Sequence, residues 1–194
     1  MFEYIKGLLI ELNPATAIVE NNGFGYFLNI SLNTYSKLKK GQECKLYIHE
    51  IIREDTHALY AFDEKQEREL FRALISVSGI GANTARLVLS SVSSQELIRA
   101  ITEGNVDLLK SIKGIGVKTA QRIILDLRDK LSGIEVENIQ ILGTTNNTLQ
   151  KDALTALTML GFSKPSVEKV LNKLLNESRE LPLEELVKLA LNYL

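Results

Sequence analysis

Apolar and polar residues change their period once, near residue 62. Before that point the chain reads as short strands. Tyr4 to Leu12, Ala15 to Glu20, Gly25 to Ile30, Cys44 to Ile52 and His57 to Phe62 are apolar-rich runs, the fourth alternating through Leu46, Ile48 and Ile51. Turn residues separate them: Asn13-Pro14, then Asn21-Asn22-Gly23, a hairpin signal. Leu32 to Leu38 reads as one short helical turn, and Arg53-Glu54-Asp55-Thr56 as the polar turn between the last two strands. Five short strands with Gly-marked bends predict a small closed barrel of the OB type over residues 1–63.

From Asp63 to Lys130 the period is helical. Acidic residues open the first helix, as the helix dipole favours, and Leu70, Leu74 and Val77 carry its stripe. Helices follow over Thr84 to Ser90, Gln95 to Thr102, Val106 to Ser111 and Thr119 to Leu131, with Ser93-x-x-Glu96 fitting a capping box. Small polar residues over 133–148 predict a flexible linker, although Val136, Ile139, Ile141 and Leu142 could pack. Residues 149–194 then fit three helices around one small core. Leu149 to Leu160 ends at Gly161, Ser163 caps the second helix with Pro165 in its first turn, and Pro182 opens the third. The fold class is α+β: a barrel, a helical domain over 64–132, a linker and a small helical module.

Inside the helical region one pattern occurs twice. Val77-Ser78-Gly79-Ile80-Gly81-Ala82-Asn83-Thr84-Ala85-Arg86 returns as Ile112-Lys113-Gly114-Ile115-Gly116-Val117-Lys118-Thr119-Ala120-Gln121-Arg122. Each copy joins two helices. Glycines permit positive φ and close backbone approach, and the isoleucine between them can turn inward to pin the bend. The amides of Gly116, Val117 and Lys118 are then left free at the positive end of the next helix, which makes an anion site suited to phosphate. This is the helix-hairpin-helix pattern, and it implies sequence-independent DNA binding. Gly79, Gly81, Gly114, Gly116, Val117, Lys118 and Arg122 are the expected phosphate-binding residues. Arg86, Lys110 and Lys113 are further candidate contacts. The first copy has Ala82-Asn83 where a lysine would help, so the second is expected to bind more strongly.

Composition restricts the chemistry. With 23 basic and 24 acidic residues the net charge is −1, so any DNA-binding surface must be local. Cys44 is the one cysteine, which excludes an internal disulfide framework and a cysteine metal cluster. His49 and His57 share no metal-ligand spacing with nearby carboxylates and are expected in structural or surface roles. Met1-Phe2-Glu3-Tyr4 has no basic leader, and no apolar run reaches membrane length, so a cytoplasmic protein is expected. No Walker-type Gly-x-x-x-x-Gly-Lys-Ser/Thr and no catalytic constellation is found. Asp126 and Asp129 alternate with Leu125, Leu127 and Leu131 as on an ordinary amphipathic helix. A non-catalytic protein with no cofactor and no metal is therefore expected.

The order of parts, together with Arg53-Glu54-Asp55, Leu59-Tyr60-Ala61-Phe62, Lys65-Gln66-Glu67-Arg68 with Leu70-Phe71, and the second glycine repeat, resembles the RuvA family of Holliday-junction-binding subunits across the whole chain. That resemblance implies a homotetramer, or an octamer on DNA, holding a four-way junction open on one basic face. It implies that Glu54 and Asp55 form an acidic pin separating strands at the crossover, since carboxylates repel phosphates. It further implies that the last domain contacts the hexameric RuvB ATPase, with the RuvC resolvase in the same complex. Leu160, Gly161 and Phe162 are the candidate motor-binding patch. A generic duplex-DNA scaffold or nuclease accessory subunit, without junction preference, is the alternative. An RNA-binding barrel is disfavoured because the chain has no Trp and few aromatics for stacking.

Overall fold

The structure, a computed structural model, describes residues 2–139, 145–177 and 181–194. The chain forms two compact units, Met1–Asn138 and Ile139–Leu194.

The first unit begins with a closed barrel. Its strands are β1 (Tyr4–Asn13), β2 (Thr16–Asn21), β3 (Phe24–Ile30), β4 (Glu43–Ile52) and β5 (His57–Phe62), with helix α1 (Leu32–Lys37) between β3 and β4. They are joined in the order β1-β2-β3-β5-β4, β4 pairing back to β1. Only β3 and β5 run parallel; the other pairs are antiparallel. Closure leaves no free sheet edge, and Leu9, Val19, Leu28, Ile30, Leu46 and Ile48 fill the interior. At Gly7 the backbone of β2 comes so close that a Cβ would lie 2.1 Å from Glu20 O, so no other residue fits there without moving a strand. The register shifts just beyond it, between Leu9 and Glu11, which bends β1 around the barrel.

Beyond α1, the helices of this unit are α2 (Lys65–Ile75), α3 (Ala82–Ser91), α4 (Ser94–Thr102), α5 (Val106–Ser111) and α6 (Val117–Ile139). They have their own core, and β5 serves both cores through its alternation. Ala61 faces the barrel interior, while Tyr60 and Phe62 pack among the helices. Phe71 of α2 meets them with ring centroids 4.9 Å and 5.1 Å away.

Two charged residues of α2 are buried at the same seam. Glu67 accepts hydrogen bonds from the hydroxyls of Ser31 and Thr34, the latter at 2.9 Å. Burial raises its pKa above the usual carboxylate range, against the lowering pull of those two hydroxyls. Arg68 is 1% exposed and donates to Glu3 O at 2.9 Å and Glu3 Oε1 at 2.8 Å, which anchors the start of β1. The histidines take structural and surface places: the His49 ring packs edge-on against Phe71, and exposed His57 lies 2.8 Å from Glu50 Oε1.

The second unit holds α7 (Thr145–Met159), α8 (Lys164–Glu177) and α9 (Leu183–Leu191). Ala153, Leu157, Val167, Leu171, Leu174, Leu186 and Ala190 form its core. Gly161 N–H donates to Thr158 O and Phe162 N–H to Leu157 O, which ends α7 where the glycine predicts.

Several helix boundaries differ from the pattern-based expectation. Both hairpin helices start two residues early, at Ala82 and Val117 rather than Thr84 and Thr119, because the second glycine of each pair is itself the cap. Helix α6 continues to Ile139 and α7 starts at Thr145, so residues 133–139 and 145–148 are helical where a linker is expected. Small polar residues lower helix propensity without forbidding a helix. The remainder of that stretch, 140–144, lies outside the described residues.

Candidate nucleic-acid interface

The two glycine repeats fold alike. Gly79 has φ +93° and Gly114 φ +90°, a left-handed conformation that costs little only for glycine. That turn reverses the chain, and Ile80 and Ile115 between the glycines are each 5% exposed and packed in the helical core. The second glycine is different. Gly81 has an ordinary φ of −87°, and neither Gly81 nor Gly116 has any atom within 4 Å of where a Cβ would stand. Nothing inside the protein requires glycine at these two places. Their bareness keeps open the approach to the first turn of the next helix.

Each of those first turns is unsatisfied. The first helical bond of α3 runs from Ala85 N–H to Gly81 O, and that of α6 from Ala120 N–H to Gly116 O, each 2.9 Å. The amides of Ala82, Asn83 and Thr84, and of Val117, Lys118 and Thr119, thus have no acceptor within their own helices. Other helices of this unit are compensated at their starts: Ser31, Ser93 and Asn105 cap α1, α4 and α5 through their side chains, and α2, which has no side-chain cap, carries Glu67 in its first turn. Gly81 offers α3 no side-chain cap, and neither α3 nor α6 has an acid in its first turn. Both hairpins therefore leave a positive helix end bare and uncompensated.

The expected cations are not all arranged as their spacing suggests. Lys113 and Lys118 are exposed at the second hairpin and form no ion pair among the described residues. Lys110 is also exposed, but its ammonium lies 2.6 Å from Asp107 Oδ1, which holds the Asp107 carboxyl below its usual range. Arg86 turns from the first hairpin to the barrel, donating to Ala15 O at 3.0 Å and Asn29 Oδ1 at 3.3 Å. Arg122 reaches across to the first hairpin and donates to Ser78 O at 3.1 Å. Spacing alone placed these arginines beside the phosphate sites; the acceptors that orient them come from other segments and have no local signature.

Glu54 and Asp55 occupy the tip of the β4–β5 hairpin. Arg53 N–H donates to Thr56 O at 2.7 Å, which closes a two-residue loop with both carboxylates exposed. In the second unit the expected patch divides. Leu160 is 62% exposed, but Phe162 packs onto the core, because the Gly161 turn folds it back. Met159, 84% exposed, stands beside Leu160 instead. The sequence reading missed the buried Glu67 and Arg68, whose partners are distant in sequence. No helix among the described residues is long and apolar enough to cross a membrane.

A closed barrel bearing a duplicated glycine hairpin, with two bare helix starts, defines a barrel-and-tandem-hairpin protein. Comparison with known families agrees with that division: the RuvA N terminal domain matches residues 1–61, the SAM-like Helix-hairpin-helix tandem residues 71–129, and the RuvA C-terminal domain residues 148–194. The chain is 50% identical over 201 residues to the Holliday junction branch migration complex subunit RuvA of Bacteroides thetaiotaomicron, covering 100% of both chains. It is 48% identical over 196 residues to that of Azobacteroides pseudotrichonymphae and 44% over 194 residues to that of Christiangramia forsetii, again with 100% of both chains covered. The chain belongs to the RuvA family.

Proposed function

We propose that this protein binds four-way (Holliday) DNA junctions without reading their sequence, holds them open and square, and recruits a RuvB ATPase for branch migration in recombination and repair. The observation that carries the reading is the pair of bare, uncapped helix starts, each preceded by a glycine whose Cβ position is empty. Backbone amides of the two bends and of the helix starts that follow them would grip phosphate oxygens, with Gly79, Gly81, Gly114, Gly116 and Val117 among the contacts, and Lys118 would add charge at the second hairpin. Phosphate contacts position a duplex and carry no sequence information, as a protein acting at any crossover requires. The exposed Glu54 and Asp55 would form the pin, their charge repelling strand phosphates at the crossover.

In this reading the chain is a non-catalytic subunit acting in the cytoplasm as a homotetramer, or an octamer on DNA, alongside RuvC. Residues 1–63 present the pin, 64–132 grip the arms, and 133–148 tether the module of 149–194, which meets the motor around Leu160. Relatives across the full length carry the name Holliday junction branch migration complex subunit.

Band-shift competition tests the reading. A four-way junction should compete far better than linear duplex of equal length and sequence. Equal competition would overturn it in favour of a generic duplex-binding scaffold.

A further inference from the structure

We propose that Arg86 and Arg122 are positioning residues, a two-step staple that fixes the first hairpin to the barrel and the second hairpin to the first. In this way they set the register between the acidic turn and the two phosphate sites. The functional half of this inference rests on the junction-binding reading above.

The two arginines end the two copies of the repeated pattern, just inside α3 and α6. Each donates through Nη1 to a backbone carbonyl in the preceding module. Arg86 spans 71 residues to Ala15 O, and Arg122 spans 44 residues to Ser78 O. Neither forms an ion pair among the described residues, so these hydrogen bonds are what orient the guanidinium groups.

Their acceptors are placed to transmit position. Ala15 O also accepts from Ile30 N–H at 3.0 Å, where β3 closes onto the β1–β2 turn. Arg86 therefore holds α3 to a fixed point of the barrel. The far end of α3 is held separately, by Asn33 Nδ2 donating to Leu89 O at 2.6 Å and Val92 O at 2.9 Å. Two attachment points fix a helix's direction as well as its place. Ser78 immediately precedes Gly79, whose φ is +93°, so a bond to Ser78 O orients the peptide leading into the first bend. Amide sites gain most from such fixing. A lysine can swing to meet a phosphate, but a backbone N–H moves only with its helix, and recognition geometry tolerates errors of only about 0.5 Å.

The experiment uses the full chain and has two readouts. The first needs no DNA. Spin labels at Lys40→Cys on the barrel and Ser111→Cys before the second hairpin, in a Cys44→Ser background, report the distance distribution between the two. Arg86→Met and Arg122→Met should each broaden it at unchanged secondary structure, and the lysine variants, which keep charge but not the guanidinium geometry, should broaden it too. An unchanged distribution overturns the staple, whatever happens with DNA.

The second readout is a junction carrying 2-aminopurine at the crossover, titrated across salt concentrations. Each methionine variant should weaken junction binding by about tenfold, or about 1.4 kcal/mol, and reduce the fluorescence rise that marks opened base pairs. The slope of log K against log salt should stay unchanged. A slope reduced by about one unit per arginine, restored by lysine, would instead make both residues direct phosphate contacts and overturn the positioning role. Failure of the unsubstituted chain to prefer junctions would remove the junction reading and leave the distance measurement to decide the staple.

Discussion

Single side chains divide here into those left exposed without an ion-pair partner and those that hold the fold. Lys118 belongs to the first group: it is exposed and forms no ion pair among the described residues, one position into α6. Lys118→Ala should weaken binding to all DNA and lower the salt slope by about one unit, measured by fluorescence anisotropy across salt. Glu67 belongs to the second group. Its pKa is raised above 4.5 mainly by burial, so the folded state holds its proton more tightly than the unfolded chain does. Stability tied to that proton is fully present below pH 4.5 and is lost as pH rises through the elevated folded value. Glu67→Gln, which keeps polar atoms for Ser31 and Thr34, should flatten this decline above pH 4.5 in urea unfolding. Glu67→Ala should destabilise at every pH by about 1–3 kcal/mol, because two hydroxyls lose their acceptor. The sequence showed Lys118 plainly, as a cation in a repeated motif. It gave no sign of Glu67's burial, since Ser31 and Thr34 are over thirty residues away.

At the scale of the element, the two glycines of each hairpin serve separate ends, and substitution should separate them. Gly79→Ala and Gly114→Ala put a Cβ on a left-handed backbone and should cost roughly 1–2 kcal/mol of stability each, read as a drop in unfolding midpoint. Gly81→Ser and Gly116→Ser meet open space, and a serine hydroxyl would cap the bare helix start. Stability should hold or rise by a few tenths of a kcal/mol, while junction affinity falls because the cap occupies the amides a phosphate would use. A serine variant that binds junctions normally would refute the amide grip. The hairpins themselves were legible because two glycines around one isoleucine, between two apolar helical stretches, recur with matching flanks. Both helices start two residues before Thr84 and Thr119, because the glycine ahead of each start is the cap and a glycine cap carries no side-chain signature.

Across the whole molecule the chain keeps two compact units with separate cores. The two bare helix starts and the acidic turn all lie in the first unit, so on the proposed reading a chain ending at residue 148 should retain junction binding within about twofold, a difference of roughly 0.4 kcal/mol. It should fail to stimulate a RuvB motor in a branch-migration assay. Loss of junction binding on that truncation would mean that the second unit contributes to the grip. The net charge of −1 is compatible with DNA binding because the exposed Lys113 and Lys118 gather at one hairpin, while Glu54 and Asp55 project from the barrel.

Local pattern by itself determined the strands, the helices apart from their ends, the two bends and the acidic turn, because each depends on residues within a few positions of one another: alternation for strands, a 3.6-residue stripe for helices, glycine for positive φ. Tertiary structure alone decided which polar groups are spent inside the protein and which remain for a ligand. Arg86 and Arg122 each donate to a carbonyl, 71 and 44 residues away respectively, a partner that no local pattern announces. Phe162 read as surface, yet it folds onto its core. A hydrogen bond's acceptor, or the far wall of a core, comes from segments remote in sequence, and only the folded chain brings the two together.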